Sequence, residues 1–309
     1  MKIIRNINKI KGLSLVELMI ALLLGVVIIG GVIGVLIANQ TTFRINEASS
    51  QVQQKIRTAF QLMADDLRLA GYTGCNELAT RISIVAPVSF WNTWPMPGNG
   101  IAGYMNGANP GLTNAPVAGS DAIHVMYGSS VMATVTAHNV SAPASFETNA
   151  VVGFNPNDLV IACEPYSTVH TAIFNITSES AAGLGGRVSY AGALGINNLA
   201  MQFLPGASIT QLNSVVWYVA LNDDKNPSLF REWVIAGAVV AEEIVENIDD
   251  MQIRYSGPGI PLTATPTAAQ WPSINLVEIT LELSVLDGLD LPADARTFRY
   301  VINIRNRYA

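Results

Sequence analysis

Charged residues are scarce in this sequence, at 13% of 309 residues, about half the share in an average soluble domain. The 17 basic residues are outnumbered by 23 acidic ones, which leaves a net charge of −6. The chain therefore lacks the overall basic field that holds a nucleic-acid backbone. We expect no direct nucleic-acid binding.

Cysteine and histidine are also rare, which limits the available metal chemistry. Cys75 and Cys163 are too few for a cysteine-based structural zinc site, although they suffice for one disulfide. His124, His138 and His170 are far apart in strand-like sequence, and we interpret them as satisfied strand residues rather than a metal triad. We expect no metal and no cofactor.

Common catalytic motifs are missing as well. The sequence has no G-x-S-x-G elbow, no P-loop, no H-E-x-x-H and no G-x-G-x-x-G after a strand. Two acidic pairs, at 223–224 and at 287 and 290, match no EF-hand spacing. Turn chemistry accounts for them more simply, although calcium stays an alternative. We expect a protein that is not an enzyme.

A long apolar run is the most informative feature that is present. Residues 1–12 carry four basic residues and no acidic one, whereas 13–38 contain a single charge, Glu17. As a helix the run is about 39 Å long, more than the roughly 30 Å of a hydrocarbon core. We predict one membrane span, with the basic flank cytoplasmic and the rest exported.

A cleaved secretory signal peptide is the simplest alternative to a retained span. Its apolar region has about 7 to 15 residues and ends at an A-x-A-like site. The run here is longer and closes with Ile37-Ala38-Asn39-Gln40, so we expect it to be retained. A carboxylate such as Glu17 costs several kcal/mol in the apolar part of a membrane, so we expect Glu17 to have a function. The alternative is that its side chain extends to the lipid headgroups, which is called snorkelling.

Beyond Gln40 the sequence is polar but keeps helical periodicity. Apolar residues recur every three or four positions, at Val52, Ile56, Phe60, Met63 and Leu67. This spacing predicts an amphipathic helix with a core-facing stripe. Together the two segments predict one helix from about residue 13 to 70 that stops at Gly71.

The rest of the chain has β-strand patterning after a long loop. Residues 87–120 are rich in Pro, Gly, Asn and Ala, which predicts a surface loop. Trp91 and Trp94 in this loop either form an exposed contact surface or pin the loop to the domain. Short β-branched runs from residue 122 onward predict an antiparallel β-rich domain, with a hairpin around the turn at 222–226. The predicted strands are 122–127, 131–136, 159–163, 168–177, 214–221, 229–234, 252–255, 276–285 and 297–304.

Both cysteines fall in the exported part, where an oxidising compartment is expected. We therefore predict a disulfide between Cys75 and Cys163, which would staple the exit of the helix to the sheet. In the chain-entropy model such a bond stabilises the fold by about 4 to 5 kcal/mol.

Residues 11–20, Lys-Gly-Leu-Ser-Leu-Val-Glu-Leu-Met-Ile, resemble the type III signal of type IV prepilins. The resemblance implies that a prepilin peptidase cuts between Gly12 and Leu13 and methylates the new amine of Leu13. It also implies that Glu17 serves subunit assembly, because a neighbouring subunit's amine neutralises the buried carboxylate. Leu13 stands where most of the family has Phe.

Residues 67–75, Leu-Arg-Leu-Ala-Gly-Tyr-Thr-Gly-Cys, narrow the resemblance to PilW-type minor pilins. The resemblance implies an α+β, type IV pilin-like fold, in which a long N-terminal helix packs on an antiparallel sheet domain. It divides the chain into a leader (1–12), a transmembrane half-helix (13–39), an amphipathic half-helix (40–70), an αβ-loop region (71–120) and a β-rich exported domain (121–309).

The function implied by the resemblance is that of a minor pilin, at the tip or in priming, that takes part in type IV pilus assembly, twitching motility and cell adhesion. The implied partners are other minor pilins, the major pilin, a tip adhesin, the prepilin peptidase and the inner-membrane assembly platform. The protein would sit in the bacterial inner membrane with its C-terminal domain in the periplasm, and in the pilus after assembly. A type II secretion pseudopilin, and a membrane-anchored periplasmic enzyme, adhesin or binding protein, remain alternatives.

Overall fold

The computed structural model describes residues 14–75, 82–83, 85, 89–164, 171–192, 195–196, 199–200, 202–284 and 296–305. The chain divides into two compact units, Met1–Gln54 and Lys55–Ala309. The fold is α+β, with one long apolar N-terminal helix and a large antiparallel sheet domain. The fold class predicted from the sequence is confirmed at this level.

Helix α1 (Leu15–Leu69) provides the described part of the first unit and the first element of the second. Between Leu15 and Ile37 its apolar side chains lie on every side of the helix, and none is buried. This is a helix long and apolar enough to cross a membrane, by length and composition. Where the apolar run ends, the hydroxyls of Thr41 and Thr42 donate to the carbonyls of Ile37 and Ala38, both at 3.0 Å.

The second unit consists mainly of strands, with two short 3₁₀ helices at Phe90–Asn92 and Trp271–Ser273. The strands are β1 (Ile82–Ser83), β2 (Ile101–Tyr104), β3 (Ala122–Asn139), β4 (Ser145–Thr148), β5 (Leu159–Cys163), β6 (Thr171–Ala182), β7 (Gly185–Tyr190), β8 (Gly195–Ile196), β9 (Leu199–Ala200), β10 (Ser208–Leu221), β11 (Pro227–Ile235), β12 (Ala238–Glu246), β13 (Ile248–Gly257), β14 (Ile260–Thr263), β15 (Leu276–Leu283) and β16 (Thr297–Asn303).

Among the described residues, the larger sheet follows the order β12-β11-β10-β5-β6-β7-β4-β3-β2, with β1 added in parallel to β6. Strand β10 also pairs with β3 along residues 208–217. Its other edge pairs first with β5, through Ser208–Gln211, and then with β11, from Val215 onward. Strand β10 is therefore the central strand on which the two arms of the sheet diverge.

A smaller sheet, β14-β13-β15-β16, is joined to the start of β3 by buried hydrogen bonds. The Asp121 amide donates to the Met251 carbonyl at 2.7 Å, and the Asp121 carboxylate accepts from the Ile253 amide at 2.9 Å. The Met251 amide donates to the Ser120 hydroxyl at 2.9 Å. These bonds hold the two sheets together. If the sheets separated inside the fold, the buried polar groups would lose their hydrogen-bond partners.

Strand predictions agree best where a strand is short and apolar. Strand β5 has the predicted bounds, and the β10–β11 hairpin around 222–226 is confirmed. The predicted pair 122–127 and 131–136 is one strand, β3, which continues through Gly128-Ser129-Ser130. The predicted surface loop at 87–120 contains a 3₁₀ turn and strand β2. The predicted ranges do not include strands β1, β2, β4, β7, β8, β9, β12 and β14.

Candidate functional site in the N-terminal helix

Glu17 lies in the first turn of α1 and is exposed, as are the apolar residues around it. The N–H groups of a helix's first turn have no partner within the helix and carry partial positive charge, which favours a carboxylate there. In a membrane this would offset only part of the cost of the charge. The cleavage and methylation positions, Gly12 and Leu13, lie outside the described residues.

The second part of α1 has a different surface, because one stripe of its side chains is buried in the sheet domain. Phe60 stacks on Tyr300 of β16, with ring centroids 5.0 Å apart. The buried apolar residues of the stripe are Ile56, Ala59, Phe60, Met63, Ala64 and Leu67, and Ala70 directly after the helix is buried as well. The predicted core-facing stripe is confirmed at 56, 60, 63 and 67, whereas Val52 is half-buried.

Asp66 lies on the buried side of α1, and four hydrogen bonds from the sheet domain reach its carboxylate. Arg231 of β11 donates through Nε at 2.9 Å and Nη2 at 3.0 Å. Tyr127 of β3 donates through its hydroxyl at 2.5 Å, and Trp217 of β10 donates through Nε1 at 2.9 Å. Asp66 is 4% exposed. The bonds therefore satisfy a charge that would otherwise be costly to bury.

Asp66 and its donors Arg231, Tyr127 and Trp217 form the Asp66 cluster. Within it, the negative charge of Asp66 raises the pKa values of Arg231 and Tyr127. Burial alone would lower the pKa of Arg231, but the hydrogen bonds and charge of Asp66 raise it above its ordinary value. Burial, then the charge of Asp66, raises the pKa of Tyr127. The Arg231 guanidinium also lies over the Trp233 ring, 4.8 Å from its centroid.

Sequence reasoning missed this cluster, although one signal for it was present. Asp66 follows Met63 by three residues, so helical periodicity puts it on the same side as the apolar stripe. A carboxylate at such a position calls for a buried partner. Nothing in the sequence indicates that this partner is Arg231, 165 residues away.

A second carboxylate, Glu232 of β11, is fully buried in a separate cluster. It accepts from the Tyr218 hydroxyl at 2.5 Å, and from the amide and hydroxyl of Thr113 at 3.1 and 3.0 Å. Burial, followed by this carboxylate, raises the pKa of Tyr218. These bonds tie the segment before β3 to the sheet, and we assign Glu232 a structural role.

The predicted disulfide between Cys75 and Cys163 is present, with the two Cα atoms 5.7 Å apart. It links the segment after α1 to the end of β5. At the end of α1, Gly71 has φ +82° and lies in the buried part of the fold. An added Cβ there would lie 2.5 Å from the Asn99 carbonyl oxygen, so both the turn and this close approach require glycine.

Trp91 and Trp94 do not form an exposed surface; they are 8% and 3% exposed. Trp91 packs with Tyr218 and Phe230 in one core cluster, and Trp94 packs with Met126 and Ile161 in another. Of the two interpretations drawn from the sequence, the pinning of the loop to the domain is correct. The exposed contact surface is wrong, because apolar contacts already cover both rings.

His124 and His138 are buried strand residues with hydrogen-bond partners, as predicted. His124 Nε2 lies 2.8 Å from the Ser214 hydroxyl, and His138 Nε2 lies 2.7 Å from the Tyr190 hydroxyl. The Phe203 amide donates to His138 Nδ1 at 3.0 Å. Burial lowers the pKa of His124 to about 3 and that of His138 to about 4. His170 lies outside the described residues.

The acidic turn at 222–226 has an internal explanation. The Asn222 side-chain oxygen accepts from the amides of Asp224 and Asn226, at 3.1 and 2.9 Å. Within the described part of the chain, no group of three or more His, Cys, Asp or Glu side chains is placed to hold a metal ion. The second acidic pair, Asp287 and Asp290, lies outside that part.

No protein-family model, curated protein or solved structure matches this chain.

Proposed function

We propose that this protein is a minor pilin that enters a type IV pilus through its N-terminal helix. The observation that carries the proposal is the surface of α1, which is apolar on every side from Leu15 to Ile37 and has one carboxylate, Glu17, in its first turn. A helix that is apolar all round requires a membrane or neighbouring helices to cover it. The prepilin-like sequence around Gly12 supports the proposal.

The proposed mechanism is assembly rather than catalysis. Cleavage after Gly12 creates a cationic amine at Leu13, and the amine of an incoming or neighbouring subunit pairs with Glu17. In low dielectric this pairing relieves the cost of the isolated carboxylate, so the charge selects one register between adjacent helices. The partners of the assembled state are the major pilin, other minor pilins, a tip adhesin and the inner-membrane platform.

The test is the variant Glu17→Ala, compared with Glu47→Ala on the same helix. Both glutamates are exposed in α1, but Glu47 lies outside the apolar run and has no cost of burial in the membrane to relieve. We expect Glu17→Ala protein to be cleaved and folded but absent from sheared pili, and to accumulate in the inner membrane. Glu47→Ala protein should appear in pili at wild-type levels.

Glu17→Ala protein in sheared pili at the wild-type level would refute the assembly role and favour the snorkelling explanation. Co-purification of the wild-type chain with type II secretion subunits, and not with pilins, would reassign it as a pseudopilin.

A further inference from the structure

A cavity of about 260 Å³ lies in the sheet domain, at the point where β5 and β11 diverge from β10. Strand β10 pairs with β5 up to Gln211 and with β11 from Val215. Residues 212–214 therefore have no strand on that edge among the described pairings. The register between β3 and β10 also shifts at this level, between Thr210 and Leu212. Such irregularities often accompany binding sites.

The outer rim of the cavity is closed by a turn. The hairpin between β11 and β12 turns at Ala236 and Gly237, both with positive φ. An added Cβ on Gly237 would lie 2.9 Å from the Cβ of Asn157, in the turn before β5. The arm that contains β5 and the arm that contains β11 thus come close to each other again beyond the gap.

The lining combines five polar residues with seven apolar ones and includes two aromatic rings, those of Tyr127 and Trp233. Asp158 is 2% exposed and caps its own turn by accepting from the Asn155 amide at 2.7 Å. Gln211, Asn213 and Trp233 are half-buried. The polar residues of the lining are Tyr127, Asp158, Gln211, Asn213 and Arg231.

The amide group of Asn213 can both donate and accept, which is what a hydroxyl group also does. The Gln211 oxygen already accepts from the Ser129 hydroxyl at 3.3 Å, so Gln211 contributes chiefly its N–H donors. Arg231 has five N–H donors, of which the hydrogen bonds to Asp66 use two. Its charge is neutralised by Asp66, and the other charged residue of the lining, Asp158, is acidic. The lining therefore offers no net positive charge to an anion.

The volume of the cavity and the aromatic surface in its lining restrict the class of ligand further. One liquid water takes about 30 Å³, so the cavity has room for about nine waters or for a ring compound of about a dozen non-hydrogen atoms. Trp233 also lines the cavity; the Arg231 guanidinium covers one face of its indole, and the rest of the ring is apolar surface of the kind that packs on the C–H groups of such a ligand. We propose that this cavity is a binding site for a neutral hydroxylated ring the size of one monosaccharide unit.

The experiment uses the full chain in a detergent without a sugar headgroup. The probes are glucose, galactose, mannose and N-acetylglucosamine, and saturation-transfer NMR is the readout. We expect transfer to at least one sugar, with a dissociation constant in the millimolar range, as is usual for ligands this small. Sodium acetate and inorganic phosphate serve as anionic probes and should give no transfer.

Two cavity variants have matched controls outside the cavity. Trp233→Ala should abolish the transfer, and Asn213→Ala should weaken binding by about three- to ten-fold, as the loss of one neutral hydrogen bond does. Trp271→Ala and Asn139→Ala replace the same residue types elsewhere in the domain and should bind as wild type does. If Trp233→Ala protein does not fold, Asn213→Ala protein still shows whether the cavity binds the sugar.

Three results would overturn the proposal: no transfer to any of the four sugars, wild-type binding by folded Asn213→Ala protein, or transfer to an anionic probe alone. The outcome is independent of pilus assembly, because Glu17 and the cavity belong to different units of the chain.

Discussion

At the scale of single residues, the buried carboxylates of the sheet domain are held by donors from distant parts of the chain. Asp66 takes its donors from three strands, and Glu232 takes its donors from Tyr218 and Thr113. The half-buried Glu179 accepts from three consecutive amides, those of Val152, Gly153 and Phe154. Asp66 and Glu232 stabilise the fold only while their donors remain, because an unpaired buried charge is costly.

The Asp66 cluster leads to a direct prediction. Asp66→Asn should destabilise the domain by about 3 kcal/mol, because it leaves Arg231 partly buried without its counter-ion. The neighbouring Asp65→Asn removes an exposed carboxylate, 3.8 Å from Arg68, and should change the free energy of unfolding by less than about 0.5 kcal/mol. Urea unfolding followed by tryptophan fluorescence measures both; equal effects would contradict the assigned role of Asp66.

The histidines predict how stability depends on pH. Burial lowers the pKa of His138 to about 4, whereas an unfolded histidine titrates near pH 6.5. Between these values the unfolded chain binds more protons than the folded one, so stability is full above pH 6.5 and is lost as the pH falls toward 4. We expect the urea midpoint to fall from pH 7 to pH 5.

The control for this prediction is His138→Gln, whose amide does not titrate. The fall between pH 7 and pH 5 should be smaller in this variant by about 1 to 2 kcal/mol in free energy of unfolding. An unchanged pH profile would show that His138 is not responsible. His124, whose pKa burial lowers to about 3, should supply much of the remaining dependence.

At the scale of elements, the two parts of α1 differ in which of their side chains are exposed. Its first part exposes apolar side chains on all sides, and its second part buries one stripe. Beyond the helix, Gly71 allows the turn, and the Gly71 amide donates to the Met126 carbonyl at 2.9 Å. The disulfide then joins the segment after this turn to β5. The exit of the helix is thus fixed by both a covalent and a hydrogen bond.

The buried stripe predicts a difference between two leucines on the same helix. Leu67 is fully buried, whereas Leu69 is 39% exposed. Leu67→Ala should destabilise the domain by about 2 to 5 kcal/mol through lost burial and a new cavity, and Leu69→Ala by less than about 1 kcal/mol. Thermal and urea unfolding of both variants test this; similar losses would contradict the assigned stripe.

At the scale of the whole molecule, the second unit is held together by contacts between its most distant segments. The Arg305 amide, after β16, donates to the Arg68 carbonyl of α1 at 3.1 Å. Asp121 and Ser120 join the two sheets, and the disulfide spans 88 residues. We therefore expect the second unit to unfold as one cooperative body.

At the same scale, the proposed function predicts that the leader is cleaved after Gly12 and that Leu13 is methylated. In cells with an active prepilin peptidase, mass spectrometry of the intact protein should show a chain that starts at methylated Leu13. Gly12→Leu should block cleavage, because a bulky residue replaces the small one at the cut, whereas Gly25→Leu within the apolar run should leave cleavage unaffected. An intact leader in wild-type protein, or a start after Ala38, would refute the proposed processing.

The sequence by itself determined the features that depend on local pattern or on simple exclusion. The apolar run and the helical stripe follow from side-chain spacing, and the β10–β11 hairpin follows from two β-branched runs around a polar turn. The disulfide followed because only two cysteines exist and both were expected outside the membrane. Such features need no knowledge of which distant segments meet.

Only the tertiary structure decided where charges and rings were placed. It buried Trp91 and Trp94, paired Asp66 with Arg231, and opened the cavity between β5 and β11. It also continued β3 through a Gly-Ser-Ser stretch that reads locally as a turn. Each outcome depends on contacts between segments tens to more than a hundred residues apart, because burial and partner choice are set by packing and not by the spacing of neighbouring side chains.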